Sequence, residues 1–206
     1  MFKLFTFIST SSPVPRARAV HRAEEERQAA DLINHLAVAN IATICHGLDC
    51  WLIHVSTDYV FDGNSEVPYK EDNLTNPQGI YGDSKLKGEL AIEASGCKYI
   101  IIRTAWVYSE YGNNFLKTML RLGADRDELA IVGDQVGCPT YAQDVAKTIV
   151  EILSELKVEG KLSGVYHYCG DFVCSAHGND ISCPIYRHVS VGSAVSGRLH
   201  AVCWTP

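Results

Sequence analysis

Apolar residues Ala29, Leu32, Ile33, Leu36, Ile41 and Ile44 recur at helix-like spacings in RAEEERQAADLINHLAVANIATICHGLD, which predicts a helix opening at Arg22. Glu24, Glu25 and Glu26 suit the positive end of that helix's dipole, and Gly47 offers a stop. CWLIHVS follows as a nearly unbroken apolar run, the pattern of a strand covered on both faces. Helix and strand patterns then alternate. GDSKLKGELAIEAS reads as helix and KYIIIRTAWVYS as a central strand. NNFLKTMLRLGADR reads as a helix ending near Gly123, and ELAIVGDQVGCPT as a strand broken at Gly133. YAQDVAKTIVEILSEL is a long amphipathic helix and SGVYHYCG a final strand. That alternation predicts an α/β fold, a doubly wound parallel sheet with helices on both faces.

The two ends break the pattern. Residues 1–19 show no clean period and form an atypical N-terminal segment, residues 20–174 form the α/β domain, and residues 175–206 form an atypical tail expected to be poorly ordered. At 206 residues the chain can bury a core of its own, and 47% hydrophobic with 20% charged residues is ordinary for a soluble globular protein. A formal charge of -6 supplies no basic excess for a nucleic-acid partner. No apolar run reaches the roughly 20 residues that span a bilayer. The start, MFKLFTFISTSSPVPRARA, loosely imitates a secretory signal, but its apolar patch is too short for one.

The cysteines are Cys45, Cys50, Cys97, Cys138, Cys169, Cys174, Cys183 and Cys203, with no C-x-x-C pair among them. They read as reduced thiols in a cytoplasmic protein. The last four fall near His167, His177 and His188 without zinc-site spacing, so no metal site is expected.

Candidate chemistry gathers in IHVSTDYVFDGNSEVPYKEDNLTNPQGIYGDSKLKGE, Ile53 to Glu89. Tyr81 stands four residues before Lys85, which puts both side chains on one helix face about a turn apart. An ammonium beside a phenol favours the phenolate and lowers the phenol pKa toward the range of a general acid or base. Ser56 and Thr57 put hydroxyls at the end of the preceding strand, at the sheet edge where ligands of such folds bind. Taken alone, each feature also has a plain structural reading. Y-x-x-x-K can be an exposed helix pair, Asp58 a turn cap, VPYKEDNLTNP a solvated loop, Trp106 strand-end core and His54 a satisfied core histidine.

Four blocks in order, VSTDYVFDG, PYKEDNLTNPQGIYGDSKLKGE, IIRTAWVYSEYGNNFLKTML and DQVGCPTYAQDVA, resemble the extended short-chain dehydrogenase/reductases, in particular the dTDP-4-dehydrorhamnose reductase branch. The resemblance runs from Val20 to Cys174, about three quarters of the chain. It implies a Rossmann-like fold and NADPH- or NADH-dependent reduction of dTDP-4-dehydro-6-deoxy-L-mannose to dTDP-L-rhamnose. It makes Tyr81 the proton donor to the sugar ketone, and Lys85 the neighbour that lowers its pKa and holds the nicotinamide ribose. Thr57 would bond the reacting oxygen, Asp58 and Tyr59 would lie against the sugar, and Trp106 would pack on the hexose face. Asn114, Gln135, Pro139 and Thr140 would shape the nucleotide end. Mg²⁺ and a homodimer also belong to what the resemblance implies.

The ends depart from that family. No glycine precedes Gly47, so the Gly-rich turn that holds a dinucleotide pyrophosphate is missing from its expected place. ARAVHRAE keeps Val20, Ala23 and Glu24 of the family's pattern but has Arg18 and His21 where Thr and Asp are expected. Pattern is lost again after GVYHYCGDFVCS. The expectation is a chain truncated or rearranged at both ends, with impaired cofactor binding and doubtful activity. The alternatives are a non-catalytic regulatory subunit, similar to the beta subunit of methionine adenosyltransferase, and an inactive remnant.

Overall fold

The computed structural model describes residues 4–7, 16–126, 135–159, 163–171 and 173–175. The predicted tail beyond Ser175 and the first part of the predicted strand Glu128–Thr140 lie outside the described residues.

Four parallel strands form the main sheet: β1 (Leu4–Phe7), β2 (Trp51–Thr57), β3 (Lys98–Thr104) and β7 (Gly164–His167), in the order β1-β2-β3-β7. The register of the central pair runs from Trp51 opposite Lys98 to Thr57 opposite Thr104. Side chains alternate across a strand, so Leu52, His54 and Ser56 share one face with Ile101 and Arg103, while Trp51, Ile53 and Thr57 share the other with Ile100, Ile102 and Thr104. Both faces are covered, which is why Trp51–Ile53 and Ile100–Ile102 are consecutively apolar.

The first face packs on α3 (Ala37–Gly47) and α4 (Ile80–Ala94), through Val38, Ala42, Cys45 and Ile92 against Leu52 and Ile101. The second packs on α6 (Ala142–Glu159), through Val145, Ile149 and Leu156 against Trp51, Ile53, Ile100 and Ile102. Helices on both faces of a parallel sheet bear out the doubly wound α/β expectation.

The differences are local. Strand β1 comes from the segment without a clean period and pairs in parallel with β2, Leu4 opposite Trp51 through Phe7 opposite His54. The predicted first helix begins earlier, at Arg16, where RARA supplies good helix formers. It is built from α1 (Arg16–Glu25), α2 (Arg27–Asp31), a π-helical turn (Leu32–Leu36) and α3. It ends at Gly47 as expected, and two residues on Asp49 takes φ 50°, in the left-handed region that Asp tolerates.

The predicted strand over KYIIIRTAWVYS is interrupted at Trp106, whose φ is 43°. Beyond it, β4 (Val107–Tyr108) leaves the main sheet and pairs in parallel with β6 (Thr140–Tyr141). The described part of the next block, 135–140, likewise stays outside the main sheet. Its β5 (Val136–Gly137) pairs antiparallel with β8 (Cys174–Ser175). A helix α5 (Phe115–Asp125) completes the described elements, capped by the Asn114 side chain accepting from Lys117 N–H at 3.1 Å.

The early acids also work differently from the prediction. Glu24 lies in the last turn of α1, not at a helix start, and its carboxylate accepts the backbone N–H groups of Ile80 at 2.6 Å and Tyr81 at 3.4 Å. Gly79, the residue that opens α4, has no capping side chain of its own. A distant carboxylate therefore satisfies the donors and opposes the dipole of the helix that carries Tyr81 and Lys85. Glu24→Ala is expected to lower stability by about 1 kcal/mol, read from the denaturant midpoint, with faster amide exchange at Ile80 and Tyr81.

Candidate active site

Helix α4 buries a broad face made of Gly82, Ser84, Lys85, Gly88, Glu89 and Ile92. Its small residues allow close approach. The π-helical turn rests on it so tightly that a Cβ at Gly88 would stand 2.2 Å from the Asn34 carbonyl oxygen. Asn34 Nδ2 donates to Ser84 Oγ at 3.0 Å, and Ser84 Oγ donates to the Tyr81 carbonyl at 2.9 Å. On the neighbouring side, a Cβ at Gly82 would stand 2.1 Å from the Tyr59 carbonyl oxygen. These contacts fix how α4 is rotated and which of its side chains enter the sheet.

Lys85 does enter. It is only 2% exposed, and its Nζ donates to the Val55 carbonyl at 2.8 Å and meets His54 Nε2 at 3.3 Å. Burial pulls its pKa from 10.5 down to about 8, against the opposing pull of the Glu89 carboxylate. Roughly nine-tenths of Lys85 is then still an ammonium at pH 7. Burial, reinforced by that ammonium, holds His54 well below the usual imidazole range. His54 is fully buried, and its Nδ1 has no hydrogen-bond partner among the described residues. Its reading as a satisfied core histidine holds for burial but not for satisfaction, because Nδ1 is left without a partner among the described residues, and its contact with Lys85 was not foreseen.

The strand end carries the next residues. Thr57 Oγ1 donates to the Asp58 carboxylate at 3.1 Å and accepts from Tyr59 N–H at 3.3 Å, opening a short 3₁₀ turn over Asp58–Val60. Thr57 and Asp58 are buried. The Tyr59 ring meets the Tyr81 ring edge-on, centroids 5.7 Å apart. Burial and the Asp58 charge push the Tyr59 phenol up. Contacts thus link Thr57, Asp58, Tyr59 and Tyr81 just past the end of β2, while Lys85 reaches the strand two residues earlier, at Val55. Ser56, the other strand-end hydroxyl, points to the opposite face and bonds Glu89. Strand alternation separates it from Thr57.

Trp106 follows the end of β3. Its indole lies against the backbone of Gly137, where an added Cβ would be 2.6 Å from the ring. Its carbonyl accepts from Thr140 N–H at 3.2 Å. Thr140 Oγ1 donates to the Cys138 carbonyl at 3.0 Å and accepts from Gly170 N–H at 3.3 Å. Gly170 passes so close to Pro139 that only glycine fits. The RTAWVY block and residues 135–140 are therefore one packed unit, with Gln135 and Pro139 half-buried along it. Asn114 is buried and spends its amide on local structure, donating to the Ser109 carbonyl as well as capping α5.

Sequence reasoning passed over three residues beside the site. Thr104 stands opposite Thr57 in register, and its buried hydroxyl has no partner among the described residues. Glu89 and Arg103 form a buried ion pair at 2.7 Å. Glu89 could have been found by continuing the four-residue step from Tyr81 through Lys85. No group of three or more His, Cys, Asp or Glu side chains placed to hold a metal ion occurs among the described residues.

A parallel sheet wrapped on both faces, with a tyrosine and a buried lysine beside the carboxyl end of a central strand, defines a Rossmann-like domain of the short-chain dehydrogenase/reductase class. Residues 16–194 match the family described as the RmlD substrate binding domain, and the chain belongs to that family. A dTDP-4-dehydrorhamnose reductase of Sinorhizobium fredii is 44% identical over 154 residues, 74% of this chain and 52% of that protein. One from Escherichia coli is 44% identical over 149 residues, 72% of this chain and 50% of that protein. The chain spans about half the length of the curated relatives it matches. The crystal structure of the dTDP-4-dehydrorhamnose reductase from Bacillus anthracis in complex with NADP superposes with a TM-score of 0.70 at 40% identity, covering 76% of this chain and 54% of that one.

Proposed function

We propose that this chain carries the catalytic face of an NADPH- or NADH-dependent dTDP-4-dehydrorhamnose reductase, which reduces the 4-keto group of dTDP-4-dehydro-6-deoxy-L-mannose to give dTDP-L-rhamnose. The observation that carries the reading is the Tyr81–Lys85 pair, with Lys85 drawn into the sheet at Val55, two residues before Thr57. Tyr81 gives its phenolic proton to the ketone oxygen, Thr57 hydrogen-bonds that oxygen, and Lys85 stabilises the phenolate left behind. Asp58 and Tyr59 flank the sugar, Trp106 packs on the hexose, and Asn114, Gln135, Pro139 and Thr140 shape the nucleotide end.

A bound nicotinamide supplies the hydride. Lys85 and Tyr81 would hold its ribose, and the orphaned hydroxyl of Thr104 at the sheet edge suits a polar group of the ligand. The pyrophosphate is less well served, because no glycine occurs before Gly47 to let backbone approach it. Cofactor binding by this chain is therefore weak. The reading includes a cytoplasmic setting, supported by the buried thiols of Cys45, Cys50 and Cys97, which form no disulfide, and a homodimer as the assembly. No helix among the described residues is long and apolar enough to cross a membrane. The reductase names of the relatives reported above give the regulatory-subunit alternative no support.

The test is NADPH oxidation in the presence of the dTDP-linked keto sugar, with cofactor affinity measured by fluorescence titration. The expected result is sugar-dependent turnover that saturates only well above micromolar cofactor. Absence of turnover at saturating cofactor overturns the function, and a low-micromolar dissociation constant overturns the expected weakness of binding.

A further inference from the structure

Glu89 is 1% exposed and Arg103 5%, so a full ion pair lies inside the fold. Arg103 Nε donates to Glu89 Oε2 at 3.1 Å and Oε1 at 3.2 Å, and Nη2 donates to Oε2 at 2.7 Å. Ser56 Oγ donates to the same carboxylate. Arg103 also stacks its guanidinium over the Phe61 ring at 5.1 Å, and its Nη1 reaches the Glu71 carbonyl at 3.5 Å. The Glu71 side chain accepts His167 N–H at 3.1 Å. One carboxylate on α4 is thereby tied to β2, β3 and, through Glu71, β7.

A buried pair of this kind rarely adds net stability over a well-packed apolar pair of the same size. Its placement points elsewhere. Glu89 is one helical turn beyond Lys85 and two beyond Tyr81, on the face that enters the sheet. We propose that Glu89 is a positioning residue for the Tyr81–Lys85 pair: clamped by Arg103 and Ser56, it fixes the rotation of α4 and supplies the counter-charge that keeps buried Lys85 an ammonium. The inference rests on the reading of Tyr81 and Lys85 as the proton-transfer pair.

The other charged groups around α4 are engaged differently. His54 of β2 touches the ammonium but is kept neutral by burial. Asp58 and Tyr59 lie past the end of β2, and Asp58 accepts from Thr57. Glu24 of α1 caps the helix start. Asp31 of α2 and His35 of the π-helical turn meet each other at 3.0 Å. Asp83 pairs with Lys87 at 2.7 Å. Glu89 is the carboxylate whose charge opposes, in part, the desolvation of Lys85.

The test follows Lys85 itself, through its ¹³Cε shift in lysine-labelled protein from about pH 6 to 11, the signal being assigned by its loss in Lys85→Met. The wild-type midpoint is expected near 8. Glu89→Gln should lower it by about one pH unit or more, whereas Glu89→Asp, which keeps the charge, should hold it near the wild-type value. Should Glu89→Gln fail to fold, the double variant Glu89→Gln/Arg103→Met replaces both charges and should show a drop in the same direction. An unchanged midpoint in a folded Gln variant overturns the proposal. In turnover, the alkaline limb should move down with the Lys85 midpoint, and a limb that stays fixed while the midpoint moves also overturns it. A shifted midpoint without turnover in any form, wild type included, supports the role of Glu89 toward Lys85 and defeats the catalytic reading instead.

Discussion

Tyr81→Phe is expected to cut turnover of the keto sugar by about 10²- to 10⁴-fold while leaving the fold in place. The substitution removes only the phenolic oxygen. Phenylalanine keeps the ring, its edge-on contact with Tyr59 and the backbone bonds that link the start of α4 to Glu24. The loss should therefore fall on the chemical step, with the sugar's KM little changed, because the proton is needed as the ketone becomes an alkoxide. The pH profile supplies an internal check. Lys85 has its folded pKa lowered from 10.5 to about 8, so its ammonium is present below that value and lost above it. Wild-type turnover should accordingly fall as pH rises through about 8. A single-residue comparison of steady-state rates across pH reads both effects.

The second large effect is steric. Gly82→Ala is expected to destabilise the protein by roughly 3 kcal/mol or more, and Gly88→Ala by a similar amount. At Gly82 the new methyl would meet the Tyr59 carbonyl oxygen at 2.1 Å and the Pro77 Cβ at 3.1 Å. At Gly88 it would meet the Asn34 carbonyl oxygen at 2.2 Å. Both obstacles are backbone atoms of packed segments, so relief requires α4 to move bodily away from the Asp58–Val60 turn in one variant and from the π-helical turn in the other. Such movement would carry Tyr81 and Lys85 away from the Thr57–Tyr59 turn, and whatever Gly82→Ala protein folds should have reduced turnover as well. Gly123→Ala is the control: it lies within α5, nothing stands within 4 Å of the added Cβ, and it should stabilise by about 0.4–1 kcal/mol. Denaturant unfolding of the three variants measures the contrast.

Why the glycines of α4 matter so differently from Gly123 was not legible in the chain. Helical period located α4 and placed Tyr81 and Lys85 on one face, because that follows from local geometry. It could not say that the face also holds Ser84 and Gly88 against a π-helical turn, since the partner lies 50 residues away. The central strands were equally plain, as Ile100, Ile101 and Ile102 need cover on both sides. Strand β1 escaped notice because LFTF carries no periodic signal of its own and is defined by pairing with β2. Trp106 broke the predicted strand through a backbone turn at φ 43° that no residue type there announces. The ordering of Thr57, Asp58 and Tyr59 was readable as a block, while the opposite facing of Ser56 follows only once the strand is known to continue through Thr57. Glu89 in a helix and Arg103 in a strand carried no local signal of their own. Burial made them a pair, and burial is a property of the fold.

The central claim is that Tyr81, on α4, protonates the ketone at the carboxyl edge of the sheet while the sugar carbon is reduced. Its most direct measurement uses NADPH deuterated at the transferable nicotinamide C4 position, with the product sugar analysed by mass spectrometry and NMR. The account predicts deuterium at C4 of the sugar with the wild-type chain and almost none with Tyr81→Phe over the same interval. Equal incorporation by the two proteins, or none by the wild type at saturating cofactor, would contradict it.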